Sequence, residues 1–269
     1  VGNGGWLSIN VLISIFIGVV LISIFSVRQL KMDKPFLQMN IFKYKQFTIP
    51  TLLTSCAMIA MIGVEMIVPI YLQTIRGMSA LNSGLILLPG TLMMAVMSPI
   101  TGRAFDLVGA KRLAISGLFL LTAGTIPFIM ITKEMPIIYI ICLYAVRMFG
   151  ISMVMMPTTT SAMNALPDSL IAHGTAVNNT VRQVASSIGT AILVSVLANT
   201  TKNQMPIKSI LTSEPLLYKL KALNATIYGY RTAFIIATAF CVAGFIITLV
   251  MKDEKTKKSS SLQTKEKTL

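Results

Sequence analysis

The chain contains seven long stretches with almost no charged residues, and this feature constrains its fold most. A helix that crosses the hydrocarbon core of a bilayer, about 30 Å thick, needs about 20 apolar residues. Backbone polar groups in lipid must hydrogen-bond within the segment, so we expect α-helices, and the lengths do not suit a β-barrel. The sequence therefore predicts an all-α integral membrane protein with seven transmembrane helices. The predicted spans are residues 6–27, 47–75, 79–102, 113–132, 136–157, 175–199 and 230–251.

The composition excludes several other classes of protein. Hydrophobic residues make up 54% of the chain and charged residues 12%, whereas soluble domains have about a quarter of charged residues. So apolar a chain does not remain disordered in water. The sequence shows no nucleophile–histidine–acid set, phosphate-binding loop or Cys/His cluster, so we expect neither an enzyme nor a metal site. The first residue is Val1 and no charged segment precedes the first apolar stretch, which indicates a piece of a longer protein rather than a signal peptide.

The net charge of +14 records topology rather than an affinity for nucleic acid. If the first span runs from outside to inside, residues 28–46, 103–112, 158–174 and 252–269 face the cytoplasm. They hold 14 of the 23 lysines and arginines, against 6 in the outer segments. The positive-inside rule then predicts a multi-pass plasma-membrane protein with a cytoplasmic C-terminus, in which residues 252–269 form a disordered basic tail. The outer segment 200–228 carries four lysines and is long enough for a short helix of its own.

A short loop between the third and fourth predicted spans combines glycines, an acid and paired bases. Two glycines permit a tight turn, and Asp106 can cap the next helix or pair with a base, although an ordinary positive-inside hairpin also fits. The segment resembles the loop motif G-x-x-x-D-x-x-G-x-K/R-K/R of the major facilitator superfamily. The matching residues are Gly102, Asp106, Gly109, Lys111 and Arg112.

A second resemblance covers most of the chain. Residues 174–193 are similar to the penultimate helix of the fourteen-helix drug:proton antiporters, the EmrB/QacA-type branch. Residues 69–73 and 83–90 also resemble segments of that branch, in the same order along the chain and at suitable spacing. The resemblance implies that residues 1–46 hold the last helix of a central pair and a cytoplasmic linker. Residues 47–251 would be the six-helix C-terminal transporter bundle, followed by the tail 252–269.

The resemblance also implies a function. The chain would be the C-terminal part of a bacterial, proton-coupled multidrug efflux transporter that works by alternating access. Its substrates would be lipophilic, often cationic, drug-like compounds, and the proton gradient would replace any cofactor. Its partners would be the lipid bilayer and the missing N-terminal half of the transporter, with no nucleic acid.

Four polar residues lie together in the sixth predicted span: Asn178, Asn179, Arg182 and Gln183. Asn178, Arg182 and Gly189 are spaced to share one helical face. A charge on this face avoids lipid by facing the bundle or a watery vestibule, so we expect a gating or structural polar network. Snorkelling of Arg182 to the interface and direct contact with substrate are the alternatives.

Glu65 is the one carboxylate placed inside a predicted span, and Arg147 is the other charge near mid-span. An apolar environment disfavours an ionised carboxyl group, so protonation near neutral pH becomes reachable. Such a group can hold a proton or a cationic substrate, which makes Glu65 and Arg147 candidates for proton or substrate binding. A Glu65–Arg147 pair with no transport role, and a Glu65 open to water at the outer mouth, are the alternatives.

Two other functions fit parts of the sequence. Seven helices also suit a receptor or a retinal protein, but a retinal protein needs a lysine in its last span and residues 232–251 have none. A rhodopsin-like receptor is expected to have an extracellular cysteine pair, whereas Cys56, Cys142 and Cys241 lie within predicted spans. A narrow-substrate exporter of the same superfamily is a further alternative.

Overall fold

The computed structural model describes residues 9–32, 37–207 and 214–251, and within these ranges the chain is helical with no β-strand. It confirms the all-α membrane fold, because seven helical segments are long and apolar enough to cross a bilayer. The predicted tail, residues 252–269, lies outside the described residues. The helices are α1 (Ile9–Lys31), α2 (Lys45–Thr74), α3 (Ala80–Val108), α4 (Ala110–Thr125), α5 (Ile137–Asn164), α6 (Ile171–Gln204) and α7 (Pro215–Val250).

Several helices are longer than the apolar stretches that predicted them. The third was expected to end at residue 102 but runs to Val108, and the fifth runs to Asn164 instead of 157. The clearest difference is α7, which begins at Pro215 instead of residue 230 and occupies much of the segment expected to be a loop with a short helix. The prediction marked where charge is absent, whereas a helix continues into the headgroup region, where water solvates charged side chains.

The core of the bundle lies around α2, which packs against α5, α6 and α7. The first helix is different, since none of its apolar side chains is buried, and Gln29 is the only buried residue among those of its residues whose burial is described. The side-chain oxygen of Gln29 accepts a hydrogen bond of 3.1 Å from the backbone N–H of Leu37. A short 3₁₀ helix, Met39–Lys43, then leads into α2.

A close helix crossing lies between α4 and α5, where Gly117 faces Gly150. A Cβ atom on Gly150 would stand 2.6 Å from the carbonyl oxygen of Gly117, and one on Gly117 would stand 2.7 Å from that of Gly150. Both neighbours are backbone atoms that cannot rotate away. The two glycines therefore let the helices approach closely, as small residues commonly do in membrane proteins.

The two ends of the bundle differ in their chemistry. We call the end that contains Lys43, Lys45 and Lys111 the basic end; the N-termini of α2, α4 and α6 and the C-termini of α3, α5 and α7 lie there. At the opposite end, side chains from α2, from Arg76 just beyond it and from α7 donate hydrogen bonds to the loop that follows α4. Tyr71 donates to the carbonyl of Thr132 at 2.5 Å, and Arg231 donates to that of Ile131 at 3.0 Å.

Candidate substrate and coupling site

Glu65 lies in the C-terminal half of α2, beyond the middle of the helix as seen from the basic end. Its side chain is half-buried, between the fully buried Val64 and the exposed Met66. Among the described acidic residues it is the only one in the interior of a long helix, because Asp106 lies near the end of α3. The carboxyl group of Glu65 makes no hydrogen bond to any described residue, so its oxygens are available to a proton, a cation or water.

Arg147 lies on α5 and its side chain is completely buried. Its Nε atom donates to the Thr125 hydroxyl at 2.9 Å, and one terminal nitrogen, Nη2, donates to the carbonyl of Ala60 at 3.0 Å. The other terminal nitrogen, Nη1, is buried and has no hydrogen-bond partner in the described chain. A buried cation with an unsatisfied donor is costly, which is why such groups mark functional sites in membrane helices.

The structure brings the two predicted charges onto neighbouring helices. Glu65 and Arg147 attract each other electrostatically but form no salt bridge within 4.0 Å, and both also interact with the buried Tyr144. Tyr144 lies three residues before Arg147 and shares its helical face, so this neighbour was deducible from spacing. The contacts of Arg147 with Thr125 and with the Ala60 carbonyl had no sequence signal.

The polar residues of α6 divide between two faces. Asn178 is buried with its Oδ1 atom unpartnered, whereas Asn179 and Gln183 are exposed. Arg182 is half-buried, and the contact found for its guanidinium is a long one of 4.0 Å to the sulfur of Met58 on α2. Hydrogen bonds therefore do not join Arg182 to Asn179 or Gln183 here, and the gating role of these four residues stays a prediction.

Comparison with known proteins adds the family. The model of the Major Facilitator Superfamily matches residues 1–190. An uncharacterized transporter of this type from Bacillus subtilis (strain 168), YcnB, is 41% identical over 252 residues, which cover 94% of this chain and 51% of that protein. The chain belongs to the Major Facilitator Superfamily. Its membership points to transport rather than catalysis, and it favours a transporter over a receptor or a retinal protein.

The names of two further relatives each mention a compound. The lincomycin resistance protein LmrB of Bacillus subtilis (strain 168) is 37% identical over 255 residues, covering 94% of this chain and 52% of that protein. The riboflavin transporter RibZ of Clostridioides difficile (strain 630) is 22% identical over 250 residues, covering 92% of this chain and 52% of that protein. The chain thus spans about half the length of the curated relatives it matches.

The superfamily loop motif is mostly helical in this chain, which corrects its description as a loop. Gly102 and Asp106 lie within the last turns of α3, and Gly109 alone forms the turn into α4, with φ of 87° and ψ of 160°. Lys111 extends from the first turn of α4 to the neighbouring helix α7. Its ammonium group donates a hydrogen bond of 3.1 Å to the carbonyl of Leu249 at the end of α7. Arg112 is exposed.

Proposed function

We propose that this transporter is the C-terminal part of a proton-coupled exporter of lipophilic, often cationic, drug-like compounds that works by alternating access. The observation that carries the proposal is the carboxyl group of Glu65. It is half-buried in the bundle and interacts electrostatically with the buried Arg147 without forming a salt bridge. The similarity to a protein named for lincomycin resistance supports export of a drug-like compound.

The exchange of a proton for a cationic substrate would depend on one carboxylate that can bind either of them. The Glu65 carboxylate holds either a proton or a cationic group, because binding of one removes the negative charge that attracts the other. Arg147 is a fixed positive charge, held in place by Thr125 and the Ala60 carbonyl. It competes with a bound cation for Glu65, so that release of the substrate leaves the carboxylate partly compensated.

The proposal includes the arrangement of the chain in a longer transporter. Residues 1–46 would contribute the last helix of a central pair and a linker, residues 47–251 the C-terminal bundle, and residues 252–269 a basic tail. The loose packing of α1 and the length of the relatives, about twice that of this chain, support a fourteen-helix transporter of the EmrB/QacA type. The basic end would face the cytoplasm, since lysine and arginine accumulate on that side of the plasma membrane.

A narrow-substrate exporter is the second candidate within the same superfamily. The names of two relatives each mention one compound, lincomycin in one and riboflavin in the other. The two candidates share the site at Glu65 and differ in how many compounds depend on it.

The test is efflux by the complete transporter carrying Glu65→Gln. The control is Glu134→Gln, since Glu134 is an exposed carboxylate in the loop at the end of the bundle opposite the basic end. We expect Glu65→Gln to abolish efflux of a lipophilic cation and its dependence on a pH gradient, while Glu134→Gln leaves both unchanged. The assay includes lincomycin and riboflavin beside the cation, which separates a broad exporter from a narrow one. Efflux by Glu65→Gln with wild-type rate and pH dependence would overturn the proposal.

A further inference from the structure

A cavity of about 430 Å³ opens at the basic end of the bundle, away from Glu65 and Arg147. Its volume is within the usual range of small-ligand sites, about 300 to 1,000 Å³. Three parts of the chain line it: the start of α2, the C-terminal part of α5 and the end of α7. The residues that matter here are Tyr44, Lys45, Gln46, Ser161, Val250 and Met251. Twenty residues of helix separate Lys45 from Glu65, a distance of about 30 Å along α2.

Hydrogen-bond donors dominate the polar part of this cavity. Tyr44 carries a hydroxyl, Lys45 an ammonium group and Gln46 a side-chain amide, and none of the described lining residues is acidic. The first turn of α2 adds the backbone N–H groups of Lys45 and Gln46, whereas that of Phe47 already donates to the Tyr44 carbonyl. This turn is also the positive end of the helix dipole. The electrostatic character of the cavity therefore selects an anion.

Ser161 is a second and independent indication of a ligand. Its side chain is only 3% exposed, yet its hydroxyl has no hydrogen-bond partner in the described chain. Other buried hydroxyls at this end are satisfied: Thr54 and Thr158 donate to carbonyls four residues earlier and also contact each other at 3.0 Å. Ser161 instead lines the cavity, where its hydroxyl can donate to a bound oxygen.

We propose that this cavity binds a phosphoryl group, and that an anionic phospholipid supplies it. Phosphate oxygens accept hydrogen bonds from an ammonium group, hydroxyls and the backbone N–H groups at a helix N-terminus, which is the donor set present here. The remaining wall is apolar, with Val250 at the end of α7 and Met251 directly after it, and suits the glycerol and first methylenes of a lipid. A bound lipid would join the start of α2 to the end of α7.

The experiment measures lipid and phosphate binding to the purified full chain. Delipidated protein is titrated with phosphatidylglycerol or phosphatidylcholine and the bound lipid is counted by native mass spectrometry; a parallel titration uses inorganic phosphate. The variants are Lys45→Gln and Ser161→Ala. The matched control is Lys43→Gln, because Lys43 is also exposed and carries the same charge but does not line the cavity.

We expect one molecule of phosphatidylglycerol to be retained in preference to phosphatidylcholine. Lys45→Gln should weaken that retention about tenfold, because a hydrogen-bonded charge pair is lost, whereas Lys43→Gln should change it less than about twofold. Ser161→Ala should weaken it about threefold to tenfold. Saturable binding of inorganic phosphate without retention of lipid would support the phosphoryl site but assign it to free phosphate. Binding of neither ligand, or equal losses in Lys45→Gln and Lys43→Gln, would overturn the proposal.

Discussion

The Nη2 atom of Arg147 donates a hydrogen bond of 3.0 Å to the carbonyl oxygen of Ala60, so the buried cation of α5 is anchored on the helix that carries Glu65. Ala60 precedes Glu65 by five residues, less than two turns of α2. A shift of α5 relative to α2 would therefore change the separation of the two charges. This coupling between helix packing and electrostatics is what a transporter needs to link binding to movement.

Replacing Arg147 by methionine tests whether its charge is functional or structural. Thr125 keeps its own bond to the Leu121 carbonyl, and an apolar side chain of similar length removes a buried donor that has no partner. We expect the stability of Arg147→Met to stay within about 1 kcal/mol of wild type or to rise, since apolar replacement of buried ions is often neutral or stabilising. Efflux and its pH dependence should be lost.

Thermal unfolding in detergent and efflux by the complete transporter measure the two effects of Arg147→Met separately. The comparison variant is Arg147→Ala, which leaves a cavity and should cost about 2 to 5 kcal/mol. If Arg147→Met is as unstable as Arg147→Ala, the guanidinium holds the bundle together and its proposed electrostatic role is wrong.

The crossing of α4 and α5 should not tolerate a methyl group on Gly150. The added Cβ would stand 2.6 Å from the Gly117 carbonyl oxygen and 2.7 Å from the backbone nitrogen of Leu121, so the helices must move apart. We expect Gly150→Ala to lower the free energy of unfolding by about 1 to 3 kcal/mol, the usual cost of overpacking. Titration with a denaturing detergent measures the loss.

The matched control for Gly150→Ala is Gly84→Ala on α3, where a Cβ atom would meet nothing within 4 Å. Alanine is the better helix former, so Gly84→Ala should be neutral or stabilising by up to about 1 kcal/mol. Equal destabilisation by the two variants would show that the α4–α5 contact is looser than described.

Lys111 should protect the last turn of α7 rather than stabilise the whole protein. Its side chain is partly exposed, so loss of its bond to Leu249 in Lys111→Gln should cost no more than about 1 kcal/mol. The carbonyls of the last helical turn have no partner within the helix, so that turn should fray. We expect faster hydrogen exchange in residues 248–251, with no change in Arg112→Gln. An unchanged exchange rate in Lys111→Gln would contradict the contact.

The sequence predicted the seven helices because lipid admits few alternatives for an uncharged stretch of 20 residues. It did not predict where α7 begins, since Lys219 and Lys221 are equally compatible with a loop or with a helix outside the hydrocarbon core. At the site, the charges Glu65 and Arg147 were evident from their positions within otherwise uncharged stretches. The Ala60 carbonyl was not, because every residue has a carbonyl and only packing decides which one a buried arginine contacts.

The loop motif gives the sharpest comparison, because its two glycines are alike in sequence and different in the structure. Gly109 has φ of 87° and ψ of 160°, a conformation that is essentially confined to glycine, whereas Gly102 is helical and a Cβ there would only reach the Met156 side chain at 3.7 Å.

We expect Gly109→Ala to cost about 1 to 3 kcal/mol of stability. Gly102→Ala should be neutral or slightly stabilising, since alanine favours a helix. Thermal unfolding of the two variants side by side measures the difference, and efflux by the complete transporter shows whether it reaches function. If Gly102→Ala loses efflux while keeping wild-type stability, that glycine serves a contact outside this chain. If Gly109→Ala is as stable as wild type, the turn between α3 and α4 has a different backbone.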